Sequence, residues 1–202
     1  MTTPSSHLDF DCKGLDEAES RRMTDGVLDF LTRNGFRPEA RDRQCAGLTA
    51  FHRSIHFPGL LYELGLTGHR DERFLLTIEA QDQRVPYPCA MGTLKGCGLF
   101  FSFPVPPDPV LCAMKISAML DRGKGRDYYD VMFLLAQTKP DYAFLAARNG
   151  VRDWPQLRRA IDASLQTVDL DRKRKDFEHL LFHPDNSRRI LRFPDFVGTL
   201  TP

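Results

Sequence analysis

The residues best suited to chemistry lie in one stretch, Lys115-Ile-Ser-Ala-Met-Leu-Asp-Arg-Gly-Lys-Gly-Arg-Asp-Tyr-Tyr-Asp130. Lys115 and Arg122 are seven apart, so on a helix they share one face about two turns apart. Lys124 and Arg126 follow around Gly123 and Gly125, where the helical pattern breaks into a turn. Four cations beside a glycine-flexed joint suit the handling of phosphate. Asp127 and Asp130 are three apart and Arg126 and Asp130 four apart, so both pairs can touch on the next helix. The same residues also have a purely architectural use: Asp127 favours the first turn through the helix dipole, Arg126 and Asp130 form a surface pair, and Lys115 is solvated.

A second set of candidates is acidic. His7-Leu8-Asp9-Phe10-Asp11 alternates with period two. Leu8 and Phe10 then face a core, and His7, Asp9 and Asp11 the opposite side. Strand interiors are poor in Asp, so acids at 9 and 11 point either to a ligand or to an exposed edge-strand face. In Thr77-Ile78-Glu79-Ala80 the acid Glu79 interrupts an apolar strand, and it shares with Thr77 the side that can meet Asp9 and Asp11. Carboxylates for a divalent ion and cations for a triphosphate together suit in-line phosphoryl or nucleotidyl transfer. The metal neutralises phosphate oxygens and lowers the pKa of the attacking hydroxyl.

Those residues must be positioned by a sheet and a set of helices. A helix is expected over 16–33 from Ala18, Met23, Val27, Leu28 and Leu31, stopped by Asn34-Gly35. Strands are expected over 47–56, 60–66, 73–80 and 99–105, separated by loops holding Gly59, Gly68-His69, Pro86 and Pro88. They imply an antiparallel or mixed sheet. Pro104, Pro106, Pro107 and Pro109 mark the expected boundary, and helices follow over 110–122, 126–137, 140–148, 154–166 and 170–182, with a short one over 186–192. Asp153 reads as an N-cap, with Pro155 in the first turn. The expected class is α+β, with a sheet domain over 1–108 and a helical domain over 109–202.

The chain has 202 residues, 42% of them apolar, enough for a sizeable core rich in its fifteen Phe. Net charge is +1, from 28 basic and 27 acidic residues, so only a local patch could favour nucleic acid. Cys12, Cys45, Cys89, Cys97 and Cys112 are odd in number and form no CxxC. They suit free thiols in a reducing cytoplasm better than disulfides or zinc. No apolar run of membrane-spanning length occurs, and Met1-Thr-Thr-Pro-Ser-Ser lacks the features of a secretory signal.

Weaker signals have plainer readings. His52 and His56 are four apart in a strand-like segment without an acidic neighbour in sequence. Lys95-Gly-Cys-Gly98 lacks the length and ending of a P-loop and reads as a turn. Arg172-Lys-Arg-Lys175 is either a solvated helix face or a nucleic-acid contact, with Arg188, Arg189 and Arg192 close in sequence.

Val105-Pro-Pro followed by Met114-Lys-Ile-Ser-Ala-Met-Leu-Asp-Arg-Gly-Lys-Gly-Arg-Asp-Tyr-Tyr-Asp130 resembles the late motifs of the nucleotidyltransferase AbiEii/AbiGii toxin family, K-[IL]-x-A-[IL]-x-x-R and R-D-x-x-D. Ser6-His-Leu-Asp-Phe-Asp11 is similar to that family's D-[LI]-D-F metal strand, Leu76-Thr-Ile-Glu79 to its third acidic strand, and Ile190-Leu-Arg-Phe-Pro-Asp-Phe196 to its C-terminal tail. The resemblance implies a nucleotidyltransferase-like mixed sheet core followed by a C-terminal helical bundle. It implies Mg²⁺, a nucleoside triphosphate substrate, an acceptor that can be a tRNA 3′ end, and an antitoxin partner in a toxin–antitoxin or phage-defence system. On this resemblance Asp9 corresponds to the second Asp of the metal strand and Glu79 to the third carboxylate. Lys115 contacts the triphosphate and Asp127 is the acid of the last motif, while Arg122, Lys124 and Arg126 stand as phosphate-binding candidates through their place at the glycine-flexed joint.

Two departures stand against it. The family's G-G-T-[AS]-L strand–helix motif does not occur, and the chain begins inside the motif that follows it. His7 stands where the first Asp of D-[LI]-D-F is expected, and imidazole is a poorer Mg²⁺ ligand than carboxylate. Asp11, on the same strand face, offers a D-x-D pair shifted by two residues. Two functions follow: a Mg²⁺-dependent enzyme acting on an RNA or protein hydroxyl, or a shortened, catalytically weak or inactive homologue serving as an interaction module. The absent first strand also leaves a sheet edge open, which invites a homodimer.

Overall fold

The computed structural model describes residues 5–41, 50–96 and 98–200. The expected strand start at 47–49, and Cys45 and Cys97, lie outside the described residues. The fold is α+β, with mixed sheet first and helices after, and it divides into two compact units, Met1–Arg84 and Val85–Pro202.

The first unit runs β1 (Ser5–Asp11), α1 (Glu17–Arg33), β2 (Glu39–Arg41), β3 (Ala50–Pro58), α2 (Leu60–Glu63) and β4 (Arg73–Gln81). Its sheet has the order β1-β4-β3-β2, with β1 parallel to β4 and the other pairs antiparallel. Helix α1 starts where a capping box permits: the Glu19 N–H donates to Asp16 Oδ1 at 2.7 Å, and the Asp16 N–H donates back to Glu19 Oε2 at 3.2 Å. Leu28 and Leu31 of α1 pack with Leu60, Phe74 and Leu76 around buried Ile55, Phe57 and Ile78. A polar tie reinforces this small core. Arg53 on β3 is only 4% exposed, and its Nη1 donates to Thr24 Oγ1 and meets Asp25 Oδ1, both at 2.6 Å.

One expected strand, 60–66, is instead the single helical turn α2. Gly59 adopts φ 70°, which bends the chain out of β3 immediately after Pro58. The Glu63 and Leu64 N–H groups then donate to the Gly59 and Leu60 carbonyls. A short apolar run such as Leu-Leu-Tyr-Glu-Leu-Gly-Leu fits either period, and the turn before it decides.

The second unit opens with an antiparallel hairpin, β5 (Ala90–Gly96) and β6 (Leu99–Val105), of which only β6 was legible in the pattern. Helices α3 (Asp108–Arg122), α4 (Gly125–Leu135), α5 (Tyr142–Asn149), α6 (Trp154–Leu165), α7 (Leu170–Lys175) and α8 (Phe193–Thr199) follow. The proline run leads β6 into α3, with Pro109 in the first turn. Asp153 caps α6 as expected, accepting from the Gln156 N–H at 2.8 Å. The core joins Ile116, Tyr128, Leu145, Leu157, Ile161, Ile190 and Phe193, all fully buried. Tyr128 and Phe193 meet edge to face at 5.2 Å between centroids.

The expected helix 170–182 ends at Lys175. The chain then breaks to bury Phe177 (3% exposed) against Tyr129 and continues as a 3₁₀ turn, Glu178–Leu180. The expected helix 186–192 is a 3₁₀ segment, Pro184–Arg192, running into α8. Cys12, Cys89 and Cys112 are free thiols, and burial pushes the Cys112 pKa up to about 12. Among the described residues no helix is long and apolar enough to cross a membrane.

Gly125 of α4 lies against the backbone of α7. A Cβ there would overlap the Lys173 carbonyl oxygen and sit 2.7 Å from Phe177 Cδ1. Gly125→Ala therefore forces α4 and α7 apart and is expected to cost roughly 3 kcal/mol in urea unfolding. Gly198→Ala in α8, where a new Cβ meets nothing within 4 Å, is expected to be neutral or mildly stabilising. The opposite ranking of the two midpoints would show that the α4–α7 contact is not close.

Candidate functional site

The carboxylates lie in the first unit. Strand alternation puts His7, Asp9 and Asp11 on one face of β1. Leu8 and Phe10, on the other face, do not enter the expected core: they are 43% and 53% exposed, because the small core of this unit gathers on β3, β4 and α1. The parallel register sets Asp9 beside Glu79 on β4, with His7 beside Thr77 and Asp11 beside Gln81. Asp9 and Asp11 are exposed, and the Glu79 side chain is 47% exposed. Adjacent strands run about 4.8 Å apart, so the Asp9 and Glu79 carboxylates are immediate neighbours on an open face. Asp11 sits one full pleat further along.

The third member of this row was not legible in sequence. His52 on β3 pairs in register with Glu79, and His52 Nε2 lies 3.7 Å from Glu79 Oε1. The acidic neighbour missing along the chain arrives through antiparallel pairing across the sheet. His56, on the same strand face, pairs with Leu75. Burial depresses its pKa, helped by Arg41 and Arg73. Among the described residues no three His, Cys, Asp or Glu side chains close into a metal cage. The donor set nevertheless fits Mg²⁺, which commonly uses one or two carboxylates and keeps its remaining positions for water and substrate phosphates.

The cations lie in the second unit, around the α3–α4 corner. Gly123 closes α3 with φ 53°, and Lys124 caps α4. Asp127 is fully buried and both its oxygens are committed. Oδ1 accepts from Arg122 Nη2 at 2.8 Å; Oδ2 accepts from Arg122 Nε and from the Lys124 N–H, each at 3.0 Å. This is a two-pronged guanidinium–carboxylate pair completed by a backbone donor. Asp127 therefore acts on the corner and on Arg122.

Lys115 is not simply solvated: its Nζ donates to Asp130 Oδ2 at 2.7 Å, joining α3 to α4. The expected Arg126–Asp130 pair is thereby replaced. Arg126 and Lys124 are exposed and make no ion pair among the described residues. Both line a cavity of about 460 Å³ whose other wall includes Asp176, Phe177 and His179. Nothing in the sequence pattern singles out His179. It lies far along the chain from the motif, in the 3₁₀ turn that replaces the expected helix.

Thus Asp9, Asp11 and Glu79 share one sheet face, and Lys115, Arg122, Lys124, Arg126 and Asp127 share one helix corner. Residues 4–196 match the model of a family described as nucleotidyl transferase AbiEii toxin, type IV toxin–antitoxin system. No curated protein matches the chain.

The corner makes a stability prediction. Arg122→Ala leaves the buried Asp127 carboxylate with only the Lys124 N–H. The expected cost is roughly 2–4 kcal/mol, below the full penalty for a buried pair because Arg122 is 43% exposed and water can partly replace it. Arg122→Lys keeps the charge without the planar fork and is expected to recover less than half of that loss. Chemical denaturation of the three proteins measures both; a wild-type midpoint for Arg122→Ala would show that the clamp carries no stability.

Proposed function

The chain belongs to the nucleotidyl transferase AbiEii toxin family, and from that premise we propose that it transfers a nucleotide from a nucleoside triphosphate to a hydroxyl of an RNA, with a tRNA 3′ end the leading candidate, or of a protein. The observation that carries this reading is the in-register, exposed Asp9–Glu79 pair. Two neighbouring carboxylates of this kind suit a Mg²⁺ ion better than a packing role. The hydroxyl oxygen attacks the α-phosphorus, its bond to the bridging oxygen breaks, pyrophosphate leaves, and the hydroxyl proton passes to water or to a carboxylate. Asp9 and Glu79 would hold the ion, with Asp11 adding negative charge one pleat further along. Bound there, Mg²⁺ would lower the hydroxyl pKa and neutralise phosphate charge. Lys115 supplies a cation for the triphosphate, exchanging its pairing with Asp130. Arg122 adds positive charge, and Asp127 positions it.

In this reading the protein works in the cytoplasm against phage, held in check by an antitoxin. β1 is an edge of its sheet among the described residues, and such an edge supports pairing with a second copy. A second reading, a catalytically weak or inactive interaction module, is favoured by His7. It lies in register with Thr77, so that position adds no carboxylate to the row.

The test is to titrate Mg²⁺–nucleoside triphosphate by calorimetry and then incubate the protein with labelled triphosphates and total tRNA. Label transfer is expected. Asp9→Asn and Glu79→Gln should each reduce it by about 100-fold or more, and Lys115→Ala by about 10- to 100-fold. As exposed or half-exposed sites, all three should leave stability within about 1 kcal/mol of wild type. Neither binding nor transfer with any divalent ion would sink the enzyme reading; nucleotide binding without transfer would favour the module.

A further inference from the structure

We infer that the cavity between the α3–α4 corner and the 176–180 turn is a docking pocket for a phosphodiester of a single-stranded RNA, separate from any triphosphate site. The inference deepens the proposed function by locating the acceptor strand on the protein, and rests on that reading only for the identity of the strand as acceptor.

Charge at the corner is partitioned between paired and unpaired cations. Of the four cations there, Lys115 is paired with Asp130 and Arg122 with Asp127. Lys124 and Arg126 are exposed, have no ionic partner among the described residues, and line the same cavity. Two such cations on one concave wall are a site for an anion. The opposite wall adds His179, an imidazole with donor capacity, and the apolar side of Phe177. Phe177 is buried and held against Tyr129, so that wall is fixed in place. The cavity, about 460 Å³, falls within the roughly 300–1,000 Å³ of small-ligand sites and accommodates a nucleotide unit.

A polymer is favoured over a free nucleotide by what lies alongside. Gly125, in the cavity wall, rests on the Lys173 carbonyl, which brings the basic run Arg172–Lys175 of α7 next to the pocket. Arg174 is paired with Glu178 at 2.7 Å, whereas Arg172, Lys173 and Lys175 make no ion pair among the described residues. Arg172 and Lys175, three apart on α7, share a helix face beside the cationic pocket. This added positive charge favours the phosphates of a nucleic-acid backbone over a single anion, with Asp169 and Asp171 flanking the run and opposing it. Asp176 is the one carboxylate in the cavity wall and opposes that charge.

Binding of a fluorescein-labelled single-stranded RNA, read by anisotropy with the full chain and without Mg²⁺ or triphosphate, tests this. Over about 50–200 mM salt, Lys124→Ala/Arg126→Ala should weaken binding about tenfold or more and flatten the log–log salt slope by about 1.4, near 0.7 per lost phosphate contact. Asp176→Asn should tighten binding about two- to threefold, a gain that a merely structural role would not give. Lys95→Ala, an exposed cation on β5, removes the same kind of charge elsewhere and should leave the slope unchanged. The inference is overturned if the wild type does not bind RNA, if the double variant keeps the wild-type slope while folded by circular dichroism, or if excess triphosphate displaces the RNA. RNA binding lost in the double variant, with no transfer activity in the wild type, would retain the pocket and remove the enzyme reading. Transfer with unchanged RNA binding would do the reverse.

Discussion

The second unit is organised around one enclosed charge. Asp127 has no exposed surface, and an ionised carboxylate in such a place costs several kcal/mol unless its lone pairs are engaged. Three donors engage them: two from the Arg122 guanidinium and one from the Lys124 N–H. The last turn of α3 and the first turn of α4 are thereby locked across Gly123. The next residue, Tyr128, is fully buried against Phe193 of α8, so the polar lock and the aromatic core share a helical turn. Displacing the corner would strand a charge and open the core together.

Burial decides what each charged pair at this corner can do. Arg122–Asp127 and Lys115–Asp130 look equivalent in sequence. In the first, the acid is sealed from water; in the second, both side chains remain about one-third exposed, 37% and 34%. A solvent-exposed pair is worth about 1 kcal/mol or less, so Lys115 can exchange its carboxylate for a phosphate at little cost. Arg122 cannot leave Asp127 without abandoning a buried anion. The architectural and chemical uses of the motif are therefore divided among its residues: Arg122 and Asp127 hold the corner, while Lys115, Lys124 and Arg126 remain available.

Much of this was legible because it follows from local periodicity. Asp9, Asp11 and Glu79 declare themselves by alternation, and Lys115 and Arg122 by helical spacing. The mixed sheet followed by helices could be read from proline placement and the change of period. What escaped depends on pairing between distant segments. His52 acquires an acidic neighbour only through the β3–β4 register, and α2 replaces a strand because Gly59 turns the chain before an ambiguous apolar run. His179 reaches the Lys124–Arg126 cavity because the helix begun at Leu170 stops at Lys175 to bury Phe177. Periodicity over 170–182 reports amphipathicity and not where tertiary packing overrides it.

The acidic face of the first unit shows the same tension between fold and chemistry. Its apolar side is secured by Ile55, Phe57 and Ile78 and by the Arg53 tie to α1. None of that requires acids on the opposite side. Asp9 and Glu79, side by side on parallel strands, repel each other, and like charges directly across a strand pair destabilise a sheet. His52 at 3.7 Å from Glu79 offsets part of this only when protonated. The sheet therefore carries a local electrostatic penalty at Asp9 and Glu79 that its packing neither requires nor repays.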